Sequence, residues 1–474
     1  MTKSPTQERL DQYPDETFRA VALTELTEQR TLLTNSFLSH EFGLSPMKIE
    51  GLLLGTDKIY ETPQVSVYAG HQFGKKVHQL GDGRAHLIGE ITSPNGDHLE
   101  LQLKGSGKTP FSGPRDGLAS LSTCTSEYFA SEHLFALGIP TTRSLAISNS
   151  NQLVIGEVTE TASRLLRSAP SFLRFGHFEW PLNNESPKEN EELFSFVLEN
   201  FYPQYKSQER KVALVYSEIC KSTANLIANW MALGFCHGLM NTDNMSIHGV
   251  TIDYGSFGFI ESFDLNSISN ENDQEGRYSF QNQPPIAHWN LKVLANCWQT
   301  LEGAKGLNLE KLSNQFVDQF NFFHRSLMLK KLGLAASPIP ARGEEQLKLI
   351  QTSIKMLHDE KLDYTFFWRK LGQYDGQRNK LLDVLEKSES LIIDEFLDKY
   401  DFHLRQQDCN DERCEQMNKV NPYLVLKNHL VKDLIDAAKQ EDIDFLNDAF
   451  EVLRRPYQTN RNWESYTRPN PLAK

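Results

Sequence analysis

Several things are scarce in this sequence. Six cysteines occur in 474 residues (Cys124, Cys220, Cys236, Cys297, Cys409, Cys414). Only Cys409 and Cys414 lie close together, and no second pair completes a zinc site. Such thin, scattered usage argues against a disulfide framework and makes a reduced, cytoplasmic protein the expectation. No apolar run approaches the roughly 18–20 residues that a membrane span requires. The start, Met1-Thr2-Lys3-Ser4-Pro5, has neither an apolar signal core nor an Arg-rich transit pattern. Positive charge is also short: 49 Lys+Arg face 62 Asp+Glu, a net charge of −13. That argues against nucleic acid or an anionic membrane as partner, while leaving room for a local basic pocket. There is no internal repeat and no extended low-complexity segment.

What is present points to a folded enzyme. Hydrophobic residues make up 39% of the chain and aromatics 10%, enough for a substantial core in one large domain or two to three smaller ones. The densest stretch runs from His237 to Gly255. It sets Asp243 beside Asn244, crosses a short apolar turn-and-strand passage (Ile247, Gly249, Val250, Ile252), and delivers Asp253 before Tyr254-Gly255. Two acids and an amide on a tight hairpin offer hard oxygen ligands for a nucleotide-bound divalent cation. They also leave a carboxylate free to act as base.

Taken in order, the first 65 residues read as mixed helical pieces, Thr24–Ser39 and Met47–Leu54 among them. Tyr68–Gly74 reads as a buried loop. Gly81-Asp82-Gly83-Arg84 then leads into an apolar strand, His86–Ile91. Asn95-Gly96 is a hairpin turn signal. Beyond it Leu99, Leu101 and Leu103 alternate with Glu100, Gln102 and Lys104, so Lys104 ends the second strand. The glycines suit either a plain turn or a loop whose N–H groups approach phosphate.

Gly113–Gly117 is a second loop before a helix expected over Ser126–Leu137. Glu127 in its first turn either favours the helix dipole or pairs with Lys104. Leu145–Ile147 and Leu153–Ile155 are expected to close the small lobe as strands. Arg164, Arg167 and Arg174 follow in a passage that Pro170 keeps from being one helix. Phosphate binding and internal salt bridges both suit them.

Asn183–Glu192 reads as a surface connection. Val212, Val215, Ile219, Leu226, Trp230 and Leu233 mark a long helix that Gly234 stops. Phe257–Ile260 is expected to pack under the metal site. Past the polar-aromatic loop Arg277–Pro284 the chain reads as mostly helical. Ile286–Leu301 is one helix. Asn421-Pro422 reads as a cap for the next, and Ile443–Leu453 as the last.

The His237–Gly255 layout resembles the catalytic and metal loops of the protein-kinase fold. Small-molecule kinases of that fold usually read His-Gly-Asp, with Asn five residues after the Asp. Here His237, Gly238 and Asn244 align, but Leu239 holds the Asp position. A leucine cannot accept a proton, and the nearest carboxylate is Asp243. Tyr68–Gly74, Gly81–Arg84, Leu103-Lys104-Gly105, Ala130–Leu134, Ala169–Gly176, His237–Asn244, Thr251–Gly258, Arg277–Pro284 and Val452–Tyr457 together resemble the selenoprotein O family of kinase-fold protein adenylyltransferases.

That resemblance implies an α+β, two-lobed, protein-kinase-like fold. Its parts would be an N-terminal extension (1–75), a small lobe (76–160), a large-lobe core (161–300) and a helical C-terminal part (301–474). It implies that Gly81, Gly83, Arg84, Lys104, Asp116, Gly117, Arg167, Arg174 and Asp253 bind nucleotide, with Glu127 orienting Lys104. Asn244 and Asp253 would bind Mg2+ or Mn2+, and Asp243 would be the catalytic base.

ATP would bind flipped, so that a Ser, Thr or Tyr hydroxyl of a protein substrate, the chain itself included, attacks the α-phosphate. AMP is then transferred and pyrophosphate leaves; UMP from UTP is a second donor. The sequence departs from the family pattern at Arg115-Asp116-Gly117-Leu118, where Gly-Asp-Gly-Arg is common. It also has no cysteine from Ser465 to Lys474, and Ser269 stands where bacterial relatives often carry one. A conventional kinase using Asp243 as base and an inactive nucleotide-binding pseudokinase are the competing readings.

Overall fold

The computed structural model describes residues 9–155, 159–387, 390–406 and 412–468. Cys409 lies outside these stretches, as does most of the segment from Ser465 onward. The small lobe is built on one antiparallel sheet. Its members are β1 (Phe18–Ala20), β2 (Arg30–Thr34), β3 (Gln64–Gln72), β4 (Lys75–Gly81), β5 (Ala85–Thr92), β6 (His98–Lys104), β8 (Arg143–Asn149) and β11 (Leu165–Ala169). They run in the order β1-β3-β5-β6-β11-β8-β2, with β4 hanging from β3. A smaller sheet joins β7 (Ala119–Ser120), β10 (Glu160–Ser163) and β9 (Leu153–Val154).

The period-two pattern of β6 decides which face is which. Leu101 and Leu103 enter an apolar cluster with Ile49, Leu52 and Leu53 of helix α2 (Pro46–Leu54), beneath α1 (Ser36–Glu41). The alternate residues Glu100, Gln102 and Lys104 face the other way and are also buried. A buried polar row needs partners: Gln102 and Lys104 meet Asp82, Arg167 and Glu127, and Glu100 accepts from Tyr13 OH and Phe172 N.

Helix α3 (Leu121–Ala136) starts from the Ser120 cap, whose hydroxyl accepts from Thr123 N at 3.2 Å. It therefore begins five residues before the expected start, and Glu127 sits in its second turn rather than its first. A hydroxyl cap outweighs the weak apolar pattern of 121–125. The large lobe follows with α4 (Phe175–Asn183), α5 (Pro187–Phe201), α6 (Lys211–Leu233) and α7 (Gln283–Trp298). Helix α6 ends at Gly234 in the left-handed region (φ 71°) and runs into the short pair β12 (Phe235–Cys236) and β13 (Gly258–Phe259). The late helix Asn428–Gln440 packs on α3. The His133 ring bonds Leu453 O at 2.9 Å, and Tyr457 OH donates to Leu137 O at 3.0 Å. The C-terminal helices thus buttress the helix that carries Glu127. Among the described residues no helix is long and apolar enough to cross a membrane.

Several expectations are corrected. Tyr68–Gly74 is mostly strand, not loop: Gln64–Gln72 forms β3, where small and aromatic residues pair across three neighbours. Thr24–Ser39 holds β2 as well as the start of α1. Leu153–Val154 pairs with β10 in the small sheet and does not close the main one. Residues Asn183–Glu192 are largely the end of α4 and the start of α5.

The passage from Asp243 to Asp253 contains turns and isolated bridges but no strand. Asn421 is no helix cap. It is fully buried and donates to Lys331 O at 3.0 Å, and the helix begins at Asn428. The boundaries drawn at residues 75 and 160 both cut the main sheet, which recruits β1–β3 from before the first and β11 from after the second.

Candidate active site

Lys104 and Arg167 share one carboxylate. Lys104 Nζ pairs with one oxygen of Glu127 and Arg167 Nη1 with the other. All three side chains are buried. Burial pushes the Glu127 carboxyl up, but the two cations outweigh it and hold it below its ordinary value. Glu127 is therefore an ion-pair partner of Lys104, beyond any helix-dipole effect. Lys104 Nζ also lies 3.7 Å from Asp253 Oδ1. Burial raises the Asp253 carboxyl; Lys104, Arg174, Arg84 and Arg167 reverse the sign and hold it well below the usual carboxylate range. Its side chain keeps 30% exposure, so one anionic oxygen donor faces the cleft.

A second network hangs on Asp82, in the middle of the glycine turn. Its carboxylate accepts from Gln102 Nε2 at 3.1 Å, Tyr68 OH at 3.3 Å and Arg174 Nη2 at 3.4 Å. Gln102 in turn accepts from Arg167 Nε at 3.0 Å. Arg174 extends past Tyr68, its guanidinium carbon 5.1 Å from the ring centre, and donates Nη1 to the main-chain oxygen of Asp243 at 2.8 Å. Both arginines are thus engaged with protein acids, one directly with Glu127 and the other with Asp82.

The loop from His237 to Asn244 is held from beneath. His237 stacks on Trp230 with ring centres 5.1 Å apart and bonds Ile252 O through Nε2 at 2.9 Å. Burial lowers its pKa, which suits a neutral ring that donates one fixed proton. Gly238 has φ 77°, and a Cβ there would sit 2.1 Å from Ser256 O, so only glycine lets the loop pass. Leu239 points into apolar packing, and its carbonyl accepts from Asn244 Nδ2 at 3.1 Å. That bond uses the Asn244 amide nitrogen and leaves its oxygen able to serve as a ligand. Among the described residues no three His, Cys, Asp or Glu side chains cluster as a metal site. A cation here would rest on Asn244 and Asp253 plus phosphate oxygens and water, which is how Mg2+ usually binds.

Asp243 lies in the one-turn helix Thr242–Asn244 and is 6% exposed. Its Oδ2 accepts from Gln72 Nε2 at 3.3 Å, and its Oδ1 has no partner. Burial pushes its pKa up to about 6, against the lowering pull of Arg174 and the Gln72 bond. A carboxylate with a free oxygen and a pKa near the working pH is suited to general base duty. Gly70 makes this possible, because a Cβ there would lie 2.8 Å from Asp243 Oδ1.

The glycine turn is clasped by the next loop. Thr109 Oγ1 donates to Asp82 O at 2.8 Å, and Ser112 Oγ to Gly83 O. Gly81 and Gly83 face Phe111, whose ring would lie 2.3 Å from a Cβ on Gly81. Arg84 is half-buried and, among the described residues, pairs with no acid of the protein. Gly117 is left-handed (φ 74°) against the Gly107 backbone, where Ser106 and Leu118 bridge two residues beyond Lys104. Asp116 is exposed and accepts from Leu118 N at 3.0 Å. Sequence reasoning missed Asp82, Gln102, Tyr68 and Gln72. The polar phase of β6 was the available signal for Gln102, since Glu100, Gln102 and Lys104 must share a face.

The chain also resembles known proteins. The family model for protein adenylyltransferase SelO matches residues 1–454. A protein nucleotidyltransferase YdiU of Pseudomonas aeruginosa strain LESB58 is 38% identical over 424 residues, covering 88% of this chain and 85% of the relative. A protein of the same name from Pseudomonas entomophila strain L48 is 37% identical over 431 residues, with the same coverage. One from Ectopseudomonas mendocina strain ymp is 38% identical over 423 residues, covering 86% and 83%.

Proposed function

This chain belongs to the protein adenylyltransferase SelO family, and on that premise we propose how it transfers AMP from ATP to Ser, Thr or Tyr hydroxyls of proteins, itself included. Protein nucleotidyl transfer is the family's reaction; the donor, the cation and the residue roles are the reading offered here. The observation that carries it is Asp243, a buried carboxylate with one unpartnered oxygen, four residues after the Leu239 that holds the sequence position of the usual kinase base.

Asp243 takes the proton of the acceptor hydroxyl. The hydroxyl oxygen forms a bond to the α-phosphorus, and the bond from that phosphorus to the bridging oxygen breaks, so that its electron pair leaves with pyrophosphate. Lys104, Arg84, Arg167 and Arg174 supply the positive charge that this leaving group needs. Glu127 fixes Lys104 and Arg167 while they do so. Gly81, Gly83, Asp116 and Gly117 line the approach to the phosphates from the two loops. Asn244 and Asp253 would hold Mg2+ or Mn2+, which when bound neutralises charge on the phosphate oxygens.

The test is label transfer to protein from α-labelled and γ-labelled ATP, with α-labelled UTP as second donor. Label on protein from the α position alone is expected. Label from the γ position would establish a conventional kinase. Metal-dependent ATP binding without label from either donor would establish a pseudokinase.

A further inference from the structure

The turn between β3 and β4 lies on the catalytic loop and carries features that nucleotide chemistry does not use. His71 N donates to Thr242 Oγ1 at 2.7 Å, one residue before Asp243. Phe73 N is held by Asn241 Oδ1 and Tyr278 OH, each at 3.0 Å. Phe73 itself sits in the left-handed region (φ 50°) and is 40% exposed, a strained conformation kept by those bonds. Gly74 follows at φ 76°, and a Cβ there would lie 3.0 Å from the guanidinium carbon of Arg277. The glycine makes room for Arg277 beside the turn.

Arg277 is the unexplained group. It is half-buried, its guanidinium carbon lies 5.0 Å from the Trp289 ring centre, and Nε has no partner. Glu275, two residues before it, is exposed and among the described residues forms no ion pair with it, and Asp273 spends its oxygens on the backbone N–H groups of Arg277 and Tyr278, at 3.0 and 2.7 Å. Beside Trp289 opens a groove of about 470 Å³, lined also by His71, Lys76, Lys292, Glu179 and Glu310. Among the described residues neither Lys76 nor Lys292 forms an ion pair, whereas Glu179 is bonded to His71 at 2.7 Å. In the groove Lys76 and Lys292 meet the carboxylates of Glu310 and Glu179, and Arg277, packed on Trp289, adds a cation with no ion pair, so the positive excess that favours negative charge lies at Arg277.

We propose that this surface receives the protein acceptor, and that Arg277, stacked on Trp289, selects acceptors carrying a carboxylate side chain near the modified hydroxyl. A guanidinium presents a two-pronged donor to a carboxylate, and the turn that holds it also places Gln72 on Asp243. The carboxylate and the hydroxyl would then be read by one rigid element. The inference rests on the adenylyltransferase reading above.

It is tested with two synthetic acceptor peptides, identical except that glutamates flanking the hydroxyl in one are glutamines in the other. Label from α-labelled ATP is followed with the full chain. Wild type should use the glutamate peptide with kcat/KM about tenfold higher or more, the ratio expected for one charged hydrogen-bonded pair. Arg277→Gln should bring the ratio to about one, Arg277→Lys should restore part of it, and Arg277→Glu should favour a lysine-flanked peptide. Binding of a non-hydrolysable ATP analogue reports that each variant is folded. Equal use of the two peptides by wild type, or a ratio unmoved in Arg277→Gln, overturns the acceptor assignment and leaves adenylyl transfer standing. Absence of α-label on every protein and peptide overturns the parent reading instead, and this one with it.

Discussion

Replacing Asp243 with asparagine should make this protein inactive and, at neutral pH, more stable. The carboxyl is buried and its pKa is pushed up from 3.8 to about 6. The difference, 6 − 3.8, is about 2 units; at 1.36 kcal/mol per unit the ionised side chain costs the folded state about 3 kcal/mol. The sign follows from which state binds protons more tightly. Above pH 6 the group is ionised both folded and unfolded, and the full cost is present. As pH falls through 6 toward 3.8 the folded state takes up the proton first, and the cost disappears. Asparagine carries no charge and escapes it at every pH.

Thermal unfolding of metal-free wild type and Asp243→Asn across pH 4 to 8 measures this. For 474 residues the unfolding entropy is about 1 kcal/mol per kelvin, so the variant should melt about 3 °C higher near pH 7.5 and equal wild type near pH 4. The wild-type rate should fall about tenfold per pH unit below 6, as the base is lost. A variant no more stable than wild type near pH 7.5, together with a wild-type rate flat down to pH 5, would refute the assignment of Asp243 as a strained buried base.

Glu127→Ala leaves Lys104 and Arg167 buried without their shared acid; denaturant titration should show a loss of about 3–5 kcal/mol, and transfer should be abolished. Gly70→Ala drives a methyl against Asp243 Oδ1. Its kcat should fall by about tenfold or more, with the far-UV spectrum unchanged, because the backbone there is not left-handed. Asp82→Asn removes the anion that competes with phosphate for Arg174. Initial-rate kinetics should show a lower KM for ATP together with a lower kcat, each change on the order of threefold to tenfold, whereas a purely structural loss would raise KM.

The parts of this fold that sequence made legible are those where one local rule acts alone. The Asn95-Gly96 hairpin, the alternation of β6 and the Gly234 stop of α6 each follow from a turn type, a period or a glycine, and the structure has all three. Tyr68–Gly74 did not yield to the same reasoning. Its glycine and aromatics look like a loop, yet it is a strand whose Gly70 serves the side chain of Asp243, 173 positions away in the chain. No local propensity encodes that requirement. Helix α3 starts ahead of its apolar pattern because a single serine cap outweighs five residues of weak pattern.

The site residues divide on the same line. Asp243, Asn244, Asp253 and Lys104 stood out because an isolated carboxylate, amide or strand-borne lysine in a glycine-rich context is chemically conspicuous. Asp82, Gln102 and Tyr68 were invisible for the opposite reason: each is an ordinary residue whose meaning lies in what it holds. Asp82 occupies one face of Arg174, and Arg174 occupies the backbone of Asp243, so the phosphate loop and the catalytic turn are joined through a single guanidinium. On the proposed roles, phosphate arriving at Arg174 would compete with Asp82, and movement of that guanidinium would be felt at the carbonyl of Asp243. Under the roles proposed above, nucleotide occupancy and base position would be one variable, and deprotonation of the acceptor would be tied to the presence of the donor.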